Sequence, residues 1–253
     1  MVETGRTMAD DDGARLRLAT YNIHSLRDDQ AALDATVRGI APDVLVVQEA
    51  LRWFNPLTWF VDLASRFGMA HSFGGLRSQG NVVLTGSRVT VHKHWFVRYP
   101  LAFGHYPRGA VFLRCSVDGV AVLVAGSHLS PDPAMRLRQA GLFKQALHDA
   151  QAGGDIPAGG DVPAVVGIDV NETPDGPAWQ IVAEGLLDAA EETGQGAVPT
   201  FPTSHPDRRI DAIFVDPRTT VAAYSVVDSP QSRQASDHFP VVADVVVPAA
   251  QPV

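Results

Sequence analysis

A chain of 253 residues, 45% of them hydrophobic and 19% charged, is long enough to bury one large core and too apolar to be disordered throughout. Its single cysteine, Cys115, excludes an internal disulfide and a cysteine-rich zinc site, and 28 acidic against 20 basic residues, a formal charge of −8, disfavour a broad basic face gripping duplex DNA. No apolar run reaches the roughly 18 residues of a membrane span, and the opening MVETGRTMADDDGARLRL lacks the basic and apolar regions of a secretion signal, so a soluble cytoplasmic protein without stable membrane insertion is expected.

Residues 1–14, with Asp10, Asp11 and Asp12 in a row, read as a disordered tail, followed by a single domain over 15–248 and a short tail at 249–253. LRLATYN alternates as a strand starting at Leu16, and Leu33, Val37 and Ile40 then recur at helical spacing before Pro42. DVLVVQE is a β-branched run suited to a buried strand, and it delivers Gln48 and Glu49 to its end. Trp53, Phe54, Trp59 and Phe60 follow, a group that serves either a core or a wall for a stacked base. NVVLT, RVTVHKHWFV, GAVFLRCSV and VAVLVAGSHL, divided by Gly or Pro turns, read as a strand meander. Pro131 to Ala150 is amphipathic, with Leu137, Ala140, Leu142, Phe143 and Leu147 near one face and Arg136, Arg138 and Lys144 outside it. The back-to-back GGDIPA and GGDVPA are a loop expansion. AVVGIDVN, RIDAIFV, TVAAYSVV and HFPVVADVVV are strands, and DGPAWQIVAEG is a short helix. Strands in this number, without regular βαβ alternation, predict stacked sheets flanked by helices.

Polar residues at the ends of buried strands are the informative ones, because such ends rarely carry ionisable groups unless they share a site. They recur here: Asn22 and His24, then Glu49, His128, Asp169 and Asn171, Asp211, and Asp237 with His238. In that order, TYNIH, VQE, GNVVLT, GSHLS with RLRQAGLF, GIDVNETPDGPAW, RIDAIFV and SDHFPVV resemble the endonuclease/exonuclease/phosphatase (DNase I-like) superfamily over about residues 16–247.

The resemblance implies a four-layered α/β/β/α sandwich of two packed mixed β-sheets with outer helices, and a metal-dependent phosphoester hydrolase site where strand ends meet. Such chemistry needs an in-line water, a hard cation and a proton acceptor, and oxygen ligands suit Mg2+ or Mn2+. Glu49 is the first choice of ligand, with Asn22 close by and Asp237 completing the shell or serving a second site. Asp211 is expected to orient His238, which activates water or contacts phosphate; Asp169 competes for the role of base, with Asn171 bonding the phosphate. His128 is assigned as a donor to a phosphoryl oxygen. Arg108 is a candidate phosphate contact, and Arg208, Arg209 and Arg233 add local positive charge.

Two departures from the family pattern stand out. His24 occupies the position where members acting at abasic DNA carry an acid, which counts against that activity, and Ile168 replaces a common Gly before the Asp. The expected protein is a monomer acting on a nucleic acid, nucleotide or headgroup phosphoester. The alternatives are a catalytically inactive binding module of the same fold, or a lipid-headgroup, sphingomyelinase-like phosphodiesterase. A serine hydrolase is disfavoured, since neither Ser127 nor Ser236 sits in a G-x-S-x-G elbow.

Overall fold

The computed structural model describes residues 13–50, 58–101, 103–153 and 162–249. Trp53, Phe54, the side chains of Trp59 and Phe60, and most of the GGDIPA/GGDVPA repeat lie outside them, as do residues 1–12 and 250–253. The first strand, β1 (Ala14–Asn22), starts two residues ahead of the predicted Leu16 because Ala14 pairs with Val247. Helix α1 (Gln30–Ile40) follows, its first turn capped by the Asp29 carboxylate, which accepts from the N–H groups of Ala31 and Ala32. Next come β2 (Val44–Gln48), α2 (Thr58–Phe67), β3 (His71–Gly74), β4 (Val82–Thr85), β5 (Val89–Arg98), β6 (Gly109–Val117) and β7 (Val120–His128). Helix α3 (Pro133–Ala152), β8 (Ala164–Asp169), α4 (Pro177–Ala183), β9 (Leu187–Asp188) and α5 (Ala189–Glu192) precede β10 (Asp211–Val215), β11 (Thr220–Val226), α6 (Ser232–Ala235) and β12 (Val241–Val247).

These strands form two six-stranded mixed sheets, ordered β11-β12-β1-β2-β4-β3 and β5-β6-β7-β8-β10-β9. One apolar cluster, including Leu16, Val46, Val124 and Ile213, fills the space between the sheets. A second, including Phe112, Phe143 and Trp179, lies beneath α3 and α4, and a third, including Leu33, Val37, Leu63 and Phe67, lies beneath α1 and α2. The molecule is therefore layered helix, sheet, sheet, helix. Among the described residues no helix is long and apolar enough to cross a membrane.

Two sequence expectations need correction. NVVLT does not begin a meander with the three strands after it: β4 pairs with β2 and β3 in one sheet, while β5, β6 and β7 are consecutive in the other. A short apolar run is equally suited to either sheet, so its composition carries no information about partner. In α3 the buried face is Arg136, Gln139, Ala140, Phe143, Leu147 and Ala150, whereas Leu137 and Leu142 are exposed. Arg136 is turned inward by Glu172, 2.9 Å away, and its guanidinium also donates to the carbonyls of Ser130 and Pro131.

The topology decides where the site falls. Parallel pairing of β1 with β2 brings Asn22 beside Gln48, and parallel pairing of β7 with β8 brings His128 beside Asp169. Antiparallel β10 sets Asp211 opposite Asp169, while antiparallel β12 begins where β1 ends. The two sheets also approach closely here. A Cβ on Gly126 or Gly167 would lie 2.6 or 2.9 Å from the Val46 side chain of the facing sheet, so only glycine permits this spacing.

Candidate active site

The cluster is built from both sheets. Asn22, at the end of β1, donates through Nδ2 to Asp169 Oδ2 at 2.9 Å across the seam between them. The Asn171 backbone N–H donates to Asp169 Oδ1, also at 2.9 Å. His238 Nδ1 lies 2.9 Å from Asp211 Oδ2, and its Nε2 lies 3.9 Å from Asp169 Oδ2. The Phe201 ring packs against His238, and the Thr200 hydroxyl donates to Asp211 at 2.7 Å. Asp169, Asp211 and His238 are all buried, and one ligand atom from each lies within 4.8 Å of the other two, an arrangement able to hold a metal ion.

His128 is also buried, with Nε2 2.8 Å from Asn171 Nδ2 and 3.2 Å from Asp169 Oδ2. Asn171 Nδ2 donates as well to the Leu129 carbonyl, which has no proton to offer, so the orientation of the amide is decided. Its second N–H therefore meets a lone pair on His128 Nε2, and the ring carries its proton on Nδ1. Burial, reinforced by the positive charges of Arg108 and His238, holds His128 well below the usual histidine range, consistent with this neutral form. Both amide hydrogens of Asn171 are thus engaged within the protein.

Charges in the cluster are displaced in opposite senses. Burial and the Asp211 carboxylate push Asp169 up to about 7, against the lowering influence of His238, Asn22 and the Asn171 N–H. Burial pulls His238 down, but the charge and hydrogen bond of Asp211, with Asp169 and Asp237, outweigh it and raise the imidazole to about 9. A strand-end carboxylic acid that ionises near neutrality beside a protonated imidazole is a pair suited to proton transfer.

Glu49 and Asp237 sit at the more exposed side of the cluster. Glu49 accepts from Ser25 Oγ at 3.1 Å, and Asp237 lies 3.8 Å from His24 Nδ1. His24 itself is held by Asp28 at 2.7 Å. Asn22 Oδ1 accepts the His24 N–H at 3.0 Å and keeps a second lone pair. Arg108 is brought to the same mouth: its charge is felt at Glu49, Asp169 and His128, and its buried Nε has no hydrogen-bond partner among the described residues. Left-handed backbone is concentrated here, at His24, Ser25, Leu26, Glu49 and Asn171.

The other expected cations each have a neighbour of their own. Arg209 is buried on Asp188 and Glu191, Arg233 pairs with Asp228, and Arg208 lies over Phe201 with Asp207 beside it. Three supporting residues had gone unassigned. Thr200 has no sequence signal, since VPTFPTS resembles any loop. Ser25 is equally silent, whereas Ser236, inside the SDH motif, donates to the Asn22 carbonyl at 2.7 Å and ties the β12 approach to β1. Ser127 donates to the Gly109 carbonyl, a structural bond with no adjacent base.

In structure the chain is similar to an endonuclease/exonuclease/phosphatase from Beutenbergia cavernae DSM 12333, at 27% identity and TM-score 0.73, covering 94% of this chain and 72% of that one. It is also similar to mannosyl-6-phosphatase of Bacteroides thetaiotaomicron VPI-5482, at 20% identity and TM-score 0.71, covering 91% and 99%. A third likeness is to humanized D. rerio TDP2, at 19% identity and TM-score 0.69, covering 91% and 98%. No curated protein matches the chain. The Endonuclease/Exonuclease/phosphatase family model matches residues 19–238, a span that contains every candidate site residue named above, and the chain belongs to that family.

Proposed function

We propose that the protein is a divalent-metal-dependent phosphoester hydrolase, a phosphodiesterase/nuclease or phosphatase, that uses an activated water. The observation carrying this reading is the convergence of Asp169, Asp211, His238 and His128 from separate segments into one buried cluster in which Asp169, His238 and His128 have displaced proton affinities. An inactive binding module would have no need to keep such a cluster, because burying unused ionisable groups costs stability.

The residues fit a hard cation. Mg2+ retains waters and takes few carboxylates; Glu49 and Asp237 are partly exposed, and Asn22 Oδ1 has a lone pair to give. These three would hold the ion, Mg2+ or Mn2+. The inner Asp169, Asp211 and His238 are already engaged with one another and with Asn22, Asn171 and Thr200, which suits them to moving protons. When bound, the ion would supply positive charge for the phosphoryl and leaving oxygens.

The chain's own residues do the rest. Asp169, as the carboxylate, accepts the proton of the attacking water. His238, held protonated by Asp211, presents Nε2–H towards the same space and donates to a phosphoryl oxygen. Asn22 and Asn171 hold Asp169 in place, and Arg108, whose Nε has no hydrogen-bond partner among the described residues, supplies positive charge for the phosphate. The phosphatase name of one structural neighbour, and the single strand DNA product complexed with D. rerio TDP2, are the support for keeping both monoesters and diesters in the proposal. The test is a panel of p-nitrophenyl phosphate, bis-p-nitrophenyl phosphate, single- and double-stranded DNA, RNA and sphingomyelin with Mg2+ or Mn2+. Turnover that vanishes in EDTA, returns with the ion and is lost in Asp169→Asn is expected; a chelator-resistant rate would reject the mechanism.

A further inference from the structure

We propose that Ser25 is a positioning residue that holds the Glu49 carboxylate for the divalent cation, an inference that rests on the reading of Glu49 as a metal ligand. The Ser25 hydroxyl donates to Glu49 Oε2 at 3.1 Å, and it makes the one hydrogen bond to that carboxylate among the described residues. Both partners reach each other through unfavourable backbone. His24, Ser25 and Leu26 have φ of 45°, 53° and 55°, three consecutive non-glycine residues in the left-handed region, and Glu49 has φ 55°. L-residues occupy that region at a cost and seldom in succession.

The turn is fixed from several sides. The His24 N–H donates to Asn22 Oδ1, the Leu26 N–H donates to the Ile23 carbonyl at 2.8 Å, and the Leu26 side chain is buried in the cluster beneath α1. The effect is to aim one short donor from the end of β1 at the acid that follows β2. Glycine at position 25 would adopt the same φ without penalty, so serine here gives up backbone ease while supplying a hydroxyl. A donor on one carboxylate oxygen restricts rotation of the group and leaves the other oxygen, Oε1, to face an ion, which is how partners outside a coordination shell raise affinity.

The experiment compares Ser25→Gly, Ser25→Asn, Glu49→Gln and the parent by calorimetric titration with MgCl2 or MnCl2 alone, together with thermal melts in EDTA. Ser25→Gly should raise the metal Kd about ten-fold, while its melting temperature without metal equals or exceeds the parent's. Ser25→Asn, which tolerates the same φ and keeps an N–H donor, should recover most of the affinity. If Ser25→Gly binds metal like the parent while Glu49→Gln does not, Ser25 does not position Glu49. If Ser25→Gly loses affinity and melting temperature together, the serine is a structural residue and the proposal is overturned. Parent-like affinity in Glu49→Gln would remove Glu49 from the ligand set and this inference with it.

Discussion

Replacing Asp211 by asparagine isolates the charge that keeps His238 protonated. The substitution conserves shape: an amide oxygen in the place of Oδ2 can still accept from both Thr200 and the His238 Nδ1–H. With the closest anion gone, burial acts against fewer opponents, and the imidazole should fall from about 9 towards its ordinary 6.5, a loss of about 3 kcal/mol in preference for the proton. At pH 7.5 the protonated fraction would drop from about 97% to about 10%. Asp169, relieved of a neighbouring negative charge, should ionise at lower pH.

The assay is the pH–rate profile on a Mg2+-dependent diester substrate, beside an NMR titration of the His238 ring. In the parent, rate should rise through about pH 7 as Asp169 ionises and fall through about pH 9 as His238 loses its proton. In Asp211→Asn both limbs should move to lower pH. Stability should follow by linkage: the parent's His238 contribution is complete below pH 6.5 and lost as pH rises through 9, and the variant should lack that slope. An alkaline limb that stays near pH 9, with an unchanged His238 titration, would refute the assignment of the charge to Asp211.

Asp169→Asn should reduce kcat by about 10² to 10⁴ without lowering the melting temperature at pH 8, because the fold disfavours the charged form it removes; a drop of several degrees would show a structural duty instead. Arg108→Ala should raise KM for the phosphoester with little change in folding, since its Nε has no partner to lose, and an unchanged kcat/KM would remove it from the site. Gly167→Ala places a Cβ 2.9–3.0 Å from Val46 and Thr20, and overpacking of this kind costs about 1–3 kcal/mol. Denaturant melts should show that loss together with a reduced rate, and parent-like behaviour in both would contradict the close approach of the sheets.

The strand ends were legible because an apolar β-branched run that stops at Asn22, Glu49, His128 or Asp169 is conspicuous in any fold. Their order also matched a family pattern, which is how the layered architecture could be read before any coordinates. What remained hidden depends on distance through space. Asn22 and Asp169 are 147 residues apart in sequence, and nothing local marks them as partners. Arg136 looked like solvent-facing charge on α3 because its burial depends on Glu172, which in turn bonds the first N–H groups of α4. The left-handed turn at Ser25 escapes notice for a related reason: backbone strain there is imposed by the surrounding packing, and the letters themselves favour no such conformation.

The bond from Asn22 to Asp169 crosses from one sheet to the other. A slip of about 0.5 Å between the layers would stretch it past useful length, and no rearrangement of surface loops could restore it. Under the proposed function, turnover is thus a strain gauge for the spacing of the two sheets, a spacing held by Val46 lying against Gly126 and Gly167. Heat or pressure should lower that turnover before the protein unfolds. Loops other than those that carry Asn171, Thr200 and Phe201 are free to diverge towards new substrates, whereas a conservative change deep in the interior, far from any ligand, should register as a change in rate.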